Sequence, residues 1–291
     1  HGPYFYTFVL RFYGSLQLKS FQDQVLKMRF RRYLKIWKKS LALELSSDMA
    51  YKWNFIIKCI AMALVDLLGP LIAILIYNTS SGIPGWTFEE FIFFTGTFTL
   101  VFGLNHAFFV KFPIRVIENV RNGEFDQFLI KPFNPLLFLT FSAWDLDGFA
   151  EVAVGLFLII WSGLKLSAVM TATGIFWYIV LILFGVLFHY SIMILISAIS
   201  FLVVNSWGLF DLFWGASKFA RYPLNIFGAT TQFTMTFIFP MAISAHYPAT
   251  AILHGVTALG LIKVILPVIG FFSFSLLLWN WAMKNYTSAG G

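Results

Sequence analysis

Charged residues are scarce in this chain. Asp, Glu, Lys and Arg make up 11% of its 291 residues, and 59% of the residues are hydrophobic, whereas soluble domains carry about 25% charged residues. One core cannot bury that much apolar surface, so a large part of it must face lipid. The composition excludes a soluble protein.

Signatures of catalysis are missing as well. The sequence has no G-x-x-x-x-G-K-S/T phosphate loop, no HExxH motif and no close Cys/His set with metal-ligand spacing. The only cysteine, Cys59, cannot form an internal disulfide. The chain therefore cannot be its own P-loop ATPase, and we expect neither catalytic residues nor a cofactor or metal site in it.

Six segments are apolar and long enough to cross a bilayer, which takes about 20 residues. They are predicted at 53–77, 88–110, 143–164, 175–204, 226–245 and 262–283. The apolar stretch 248–260 is too short to cross and predicts a re-entrant segment before the last span. The expected fold is an all-α integral membrane protein with a single domain at 28–291. Residues 1–27 are expected to be an N-terminal extension or a cloning remnant, because Met28 and the arginines after it resemble a natural start.

Basic residues indicate the orientation. Lys and Arg concentrate before residue 53 and in 111–135, with others in 206–225 and at Lys284, whereas the loop 78–87 has none. Because Lys and Arg are retained on the cytoplasmic side, these four regions and both termini are predicted to be cytoplasmic.

An interfacial helix is predicted before the first span. In residues 28–45, Tyr33, Trp37 and Leu41 recur at helical spacing and the basic residues lie mostly on the other side. Such a helix lies flat on the inner leaflet. The stretch 206–221 is a second candidate of the same kind.

The stretch 111–135 interrupts the apolar sequence with charge. Ile114, Ile117 and Val120 recur every third residue, polar residues cover the other face, and Gly123 stands where a helix C-cap would lie. The pattern predicts a short cytoplasmic helix whose apolar face docks onto a soluble partner. The residues assigned to this docking element are Pro113, Ile114, Arg115, Ile117, Glu118, Val120, Arg121, Gly123 and Asp126.

Charges inside predicted spans are few and therefore informative. Lys58 and Asp66 lie eight residues apart on one face of the first span. Lys58 can extend to the inner interface, whereas Asp66 needs a partner or a wet cavity, so a structural contact and a transport role both stay open. Asp145 and Asp147 open the third span, where the helix dipole accounts for them.

Polar stripes occur on two spans. Thr95, Thr99 and His106 share a face of the second span, and Thr230 and Thr234 share a face of the fifth. Such stripes either join helices by hydrogen bonds, the more frequent outcome, or line a translocation path. For buried histidines such as His106 and His189, an interhelical hydrogen bond is the expected role.

The order of these features, with three local patterns, resembles the permeases of ATP-binding-cassette (ABC) exporters of the second type, and more closely one exporter-permease branch. The patterns are IPGWTFEE at 83–90, RNGEFD at 121–126 with LIKP at 129–132, and RYP at 221–223 followed by FP at 239–240 and YPA at 247–249. The second pattern is the most specific. The resemblance covers the chain from about Phe30 to its C-terminus.

The resemblance implies a permease that pairs with a second permease, identical or a sister, and with two separate ATPase subunits that bind ATP and magnesium. Residues 113–122 would be the coupling helix and the basic N-terminal helix the connecting helix. Spans two and five would face the partner permease and line the path. The location would be a prokaryotic plasma membrane, and the aromatic interior favours a hydrophobic or amphiphilic cargo.

Three other interpretations remain. A secondary transporter or channel would show broken or charged helices at the membrane midplane and often a repeat, and neither is clear. An intramembrane enzyme would need more than His106 beside Asn105. A structural membrane subunit is also compatible with the sequence.

Overall fold

The computed structural model describes residues 33–166, 171–203 and 206–287, which contain helices and loops but no β-strand. The predicted extension 1–27 and the first residues of the predicted interfacial helix lie outside this part of the chain. The helices are α1 (33–50), α2 (Lys52–Thr79), α3 (Phe88–Phe109), α4 (Lys111–Arg121), α5 (Asp126–Leu129), α6 (Pro135–Ser142), α7 (Gly148–Lys165), α8 (Ala172–Ser200), α9 (Trp207–Ser217), α10 (Ala229–Phe233), α11 (His246–Leu253) and α12 (Ala258–Lys284).

Five helices of the described chain are long and apolar enough to cross a membrane: α2, α3 with its continuation α4, α7, α8 and α12. They match five of the six predicted spans, although α7 starts at Gly148 and not at 143. We call the two ends of this bundle the α4 end and the α11 end, after the short helices that lie there.

The predicted fifth span, 226–245, is not one helix. It contains α10, a π-helical turn at Thr234–Ile238 and a 3₁₀ turn at Met241–Ser244. Pro240 lies between the last two elements and has no N–H to continue a helical ladder. The hydropathy of this segment predicts that it is apolar, but it does not predict the breaks between its short helical elements.

The connection before that segment runs along α3 instead of lying at one surface. Trp214 of α9 meets the Phe102 ring edge-on, with centroids 6.0 Å apart. Further on, the Asn225 side chain donates to the carbonyl of Pro84 in the α2–α3 loop, at 2.7 Å. The prediction that 206–225 stays at the α4 end is therefore wrong, as is the interfacial helix at 206–221.

The chain after Asn225 turns into the bundle and back. His189, in the interior of α8, contacts the Ser244 hydroxyl at 2.9 Å, which confirms the expected interhelical bond. His254, ten residues after Ser244, lies edge-on to Trp86 at the α11 end, with ring centroids 6.3 Å apart. The segment that enters and returns is thus longer than the predicted 248–260.

Helices α3 and α7 pack backbone to backbone through four glycines. A Cβ atom built on Gly155 would lie 2.5 Å from the backbone nitrogen of Leu100, and one on Gly103 would lie 2.7 Å from that of Val152. Gly96 and Gly148 are equally close to the facing helix. In each helix the two glycines are seven residues apart, the spacing of one helix face, and small residues of this kind let membrane helices approach closely. We call this contact the glycine seam.

We expect Gly155→Ala to lower the thermal unfolding temperature of the detergent-purified protein. The added methyl group meets backbone, which cannot move aside alone, so overpacking should destabilise the fold by about 1–3 kcal/mol. Gly270→Ala in α12 is the matched control, since nothing lies within 4 Å of its added Cβ, and it should be neutral or stabilising. Equal melting temperatures for the two variants would contradict the seam.

Candidate functional site

Charged side chains from five parts of the chain meet at the α4 end. We call this cluster the junction network. Its members are Glu44, His106, Lys111, Arg115, Asp145 and Glu151.

His106 is the centre of the network on α3. Its Nδ1 lies 2.8 Å from Oε1 of Glu151 on α7, and its Nε2 lies 3.5 Å from Oδ2 of Asp145. All three residues are largely buried. An imidazole ring can donate from both nitrogens only as the cation, so this arrangement suits a positive ring between two carboxylates. His106 therefore has the expected interhelical bond and is not free to face a path.

Lys111 and Arg115 extend the network to α1. Lys111 contacts both the Glu44 carboxylate and Asp145, the latter at 3.5 Å. Arg115 lies 3.9 Å from Glu44 and donates to the Ser142 carbonyl at 2.5 Å. One face of α4 is thus tied to α1, to the end of α6 and to the loop before α7.

The carboxylates before α7 do more than complement its dipole. Burial alone raises the pKa of the Asp145 carboxyl, but the contact with His106 and the charge of Lys111 outweigh it and hold the pKa below its usual value. Burial, with the charge of Asp145, raises the pKa of Asp147. Asp147 lies 3.6 Å from Lys58, and its side chain makes no capping bond. The dipole explanation was therefore incomplete for both residues.

The apolar face of α4 is covered by the chain itself. Ile117 is 1% exposed, and Pro113 and Val120 are buried as well. Phe112 packs against Trp279 of α12, with ring centroids 5.7 Å apart. The prediction that this face receives a soluble partner is corrected: in an isolated chain a small amphipathic helix buries its apolar side wherever the fold offers a groove.

What α4 leaves exposed is polar, and a loop follows it. Gly123, with a φ of 71°, ends the helix as the sequence predicts. Residues 118–132, which we call the exposed tip, carry the exposed residues of the predicted docking element, Glu118, Arg121 and Asp126. Ile130 is 85% exposed, the most exposed large apolar side chain in the described part of the chain. Ile114 and Arg115 are half-buried.

A separate cavity of about 150 Å³ lies between α2, α3 and the 3₁₀ turn Lys218–Arg221. Asp66, Thr95 and Thr99 line it together with Arg221, so two of the residues predicted for a path share a cavity with the intramembrane carboxylate. Lys58, eight residues before Asp66, pairs instead with Asp147 at the start of α7. Thr230 and Thr234 belong to α10 and the π turn and do not line the cavity.

One sequence pattern marks the contact between α3 and α7. The seven-residue spacing of Gly96 with Gly103 and of Gly148 with Gly155 marks the faces that meet in the glycine seam. Arg221 was assigned to the cytoplasmic side because it is basic, whereas its guanidinium lies over the Phe98 ring, 5.4 Å from its centroid, in the middle of α3. Only the path of α9 places it there.

A family model described as "ABC-2 family transporter protein" matches residues 60–290. No curated protein and no solved structure gives a significant match.

The junction network is testable by a double-mutant cycle of His106→Leu and Glu151→Gln. Because each substitution leaves a buried polar partner behind, we expect a coupling of about 1–2 kcal/mol in the free energy of unfolding, the upper part of the range for polar contacts in membranes. Unfolding would be followed in mixed micelles of a non-ionic detergent and SDS.

The control for this cycle is the pair Lys165→Leu and Glu89→Gln at the α11 end. These groups are 3.7 Å apart with side chains 48% and 35% exposed, so a coupling of a few tenths of a kcal/mol is expected. Similar couplings in the two cycles would show that burial adds nothing to the network.

Proposed function

The chain belongs to the ABC-2 transporter family, whose members are membrane-spanning permeases, and from this premise we propose that it exports a hydrophobic or amphiphilic substrate using ATP hydrolysed by a separate ATPase subunit. The observation that carries the proposal is the position of the exposed tip. It begins in the last turn of α4, which continues α3 almost without interruption and which the junction network ties to α1 and to the loop before α7.

A displacement of the exposed tip by a docked ATPase would be transmitted to the spans through a few direct contacts. α4 follows α3 after the single residue Val110. α3 and α7 touch backbone to backbone at the glycine seam, and His106 joins Glu151 across the same interface. These contacts support motion of α3, α4 and α7 as one body when the ATPase subunits close on ATP. Rigid-body motion of packed helices is one way in which a change at one site reaches a distant site.

α2 is the span best placed to move against that body. In its most apolar window 11% of residues are buried, compared with 83% in α3. Since α3 is surrounded by its own chain, the expectation that it faces a partner permease is not supported. The exposed apolar side chains of α2 and α9, including Leu64 and Leu212, support these two helices as the face toward a second permease.

The cavity lies on the α2 side of this arrangement. Asp66 from α2 and Thr95 from α3 meet across it, so a displacement of α2 would open or close it. The walls combine apolar and aromatic side chains with a few polar groups, a composition that suits an amphiphile. Alternating exposure of this cavity to the two membrane sides is the proposed transport step.

We expect Ile130→Asp to abolish association with the ATPase while the permease still inserts and melts normally. The side chain is exposed in the free chain, so an acidic residue there is compatible with folding but not with an apolar docking contact. Ile117→Asp, by contrast, places a charge in the core and should destroy the fold itself.

The measurement is photo-crosslinking from a benzoylphenylalanine placed at position 130 in native membranes. The expected product joins the permease to a polypeptide with a P-loop sequence. Val256→Asp is the matched control, since Val256 is an exposed apolar residue in the loop after α11, at the opposite end. Equal ATPase co-purification of the Ile130→Asp and Val256→Asp proteins would refute docking at the tip.

A further inference from the structure

The cavity beside α2 holds groups of opposite charge that do not pair with each other. We propose that it binds the zwitterionic head group of an amphiphile, with the ligand's ammonium against Asp66 and its acidic group against Arg221. This inference rests on the proposed function, because it names the substrate class of the site assigned to transport.

Asp66 is the first observation. Its Oδ2 atom is buried and has no hydrogen-bond partner in the described chain. The residue lies in the middle of α2, where an unsatisfied carboxylate is costly. A cation that enters the cavity would satisfy it, and the ring of Phe91, which lines the same cavity from α3, suits an ammonium group.

Arg221 is the second observation. Its guanidinium lies over Phe98, and within the described residues it forms no ion pair with a carboxylate. Arg221 and Asp66 line one small cavity yet remain unpaired. The guanidinium therefore keeps its donors for an acidic group such as a phosphate or carboxylate, which it can bind in a bidentate way.

The two charges together select the ligand. An anion bound to Arg221 would place a like charge near Asp66, and a simple cation bound to Asp66 would face Arg221. A molecule that carries both charges avoids each repulsion and matches both groups. The Thr99 hydroxyl lines the cavity and can donate to an oxygen that joins the two charges, whereas the Thr95 hydroxyl donates to the Phe91 carbonyl at 2.9 Å and can only accept from the ligand.

The volume of the cavity and the position of its opening decide which part of the ligand enters. Since a drug-sized ligand needs about 300 Å³ or more, a cavity of about 150 Å³ holds a head group but not a long chain. Leu68 and Ile72 form its α2 rim and are 50% and 43% exposed. The rim is thus open toward the surroundings of the bundle, so an acyl chain can stay in the membrane while the head group is bound.

The test is equilibrium binding to the purified permease in non-ionic detergent, using three probes with one alkyl or acyl chain. Lysophosphatidylethanolamine carries both charges, lysophosphatidylglycerol carries the phosphate only, and dodecylamine carries the ammonium only. We expect the zwitterion to bind about 10-fold tighter or more than either control, the gain expected of one charge-assisted hydrogen bond. Equal affinities for the three probes, or no binding of the zwitterion, would overturn the proposal.

Variants assign each charge to its group. Asp66→Asn should reduce the affinity for lysophosphatidylethanolamine to that for lysophosphatidylglycerol, and Arg221→Gln should reduce it to that for dodecylamine. Asp211→Asn is the control, because this exposed carboxylate of α9 does not line the cavity. If Asp66→Asn melts early, Arg221→Gln decides alone, since Arg221 is exposed, and unchanged selectivity in it would overturn the site.

The outcome is separable from that of the proposed function. Binding is measured on the permease without an ATPase, so failure of the cross-link at position 130 would refute the exporter proposal and leave the head-group site standing. Loss of probe selectivity with an intact cross-link would refute the site alone.

Discussion

The backbone contact between α3 and α7 is the constraint on which the rest of the structure depends. Gly96, Gly103, Gly148 and Gly155 leave no room for even a methyl group between the two helices. In lipid, helices gain little from apolar burial against each other, so close packing of this kind is a main source of association. The same contact brings His106 next to Glu151, and α2 lies beside the pair, in contact with both helices.

The junction network and the cavity are therefore two consequences of one packed pair. At the α4 end, α3 continues into α4, and ion pairs fasten this corner to α1 and to the start of α7. Beside the glycine seam, Thr95 and Thr99 of α3 face a cavity closed by α2 and the turn that carries Arg221. Because α2 is less buried than α3 or α7, it can move one wall of the site while the other stays in place.

The buried charges of the junction network and of the cavity differ in whether neighbouring groups of the chain compensate them. In the junction network each buried carboxylate has a cationic neighbour, and the low pKa of Asp145 follows from His106 and Lys111. In the cavity the buried Oδ2 of Asp66 has no hydrogen-bond partner in the described chain, although Arg221 lines the same cavity. Buried charge that is fully paired stiffens a structure, whereas buried charge left unpaired in a cavity is free to be paired by a ligand.

The sequence by itself determined the membrane character, five of the spans, the amphipathic α4 with its glycine cap and the family, because composition and helical periodicity are local properties. It misplaced the fifth span, and it assigned the apolar face of α4 to a partner when Ile117 packs inside the chain. Only the tertiary structure decided that Lys58 meets Asp147, that His106 lies between two carboxylates, and that Arg221 shares a cavity with Asp66. Those contacts join residues far apart in the chain, and the last of them depends on the path of α9 along α3, which no local pattern encodes.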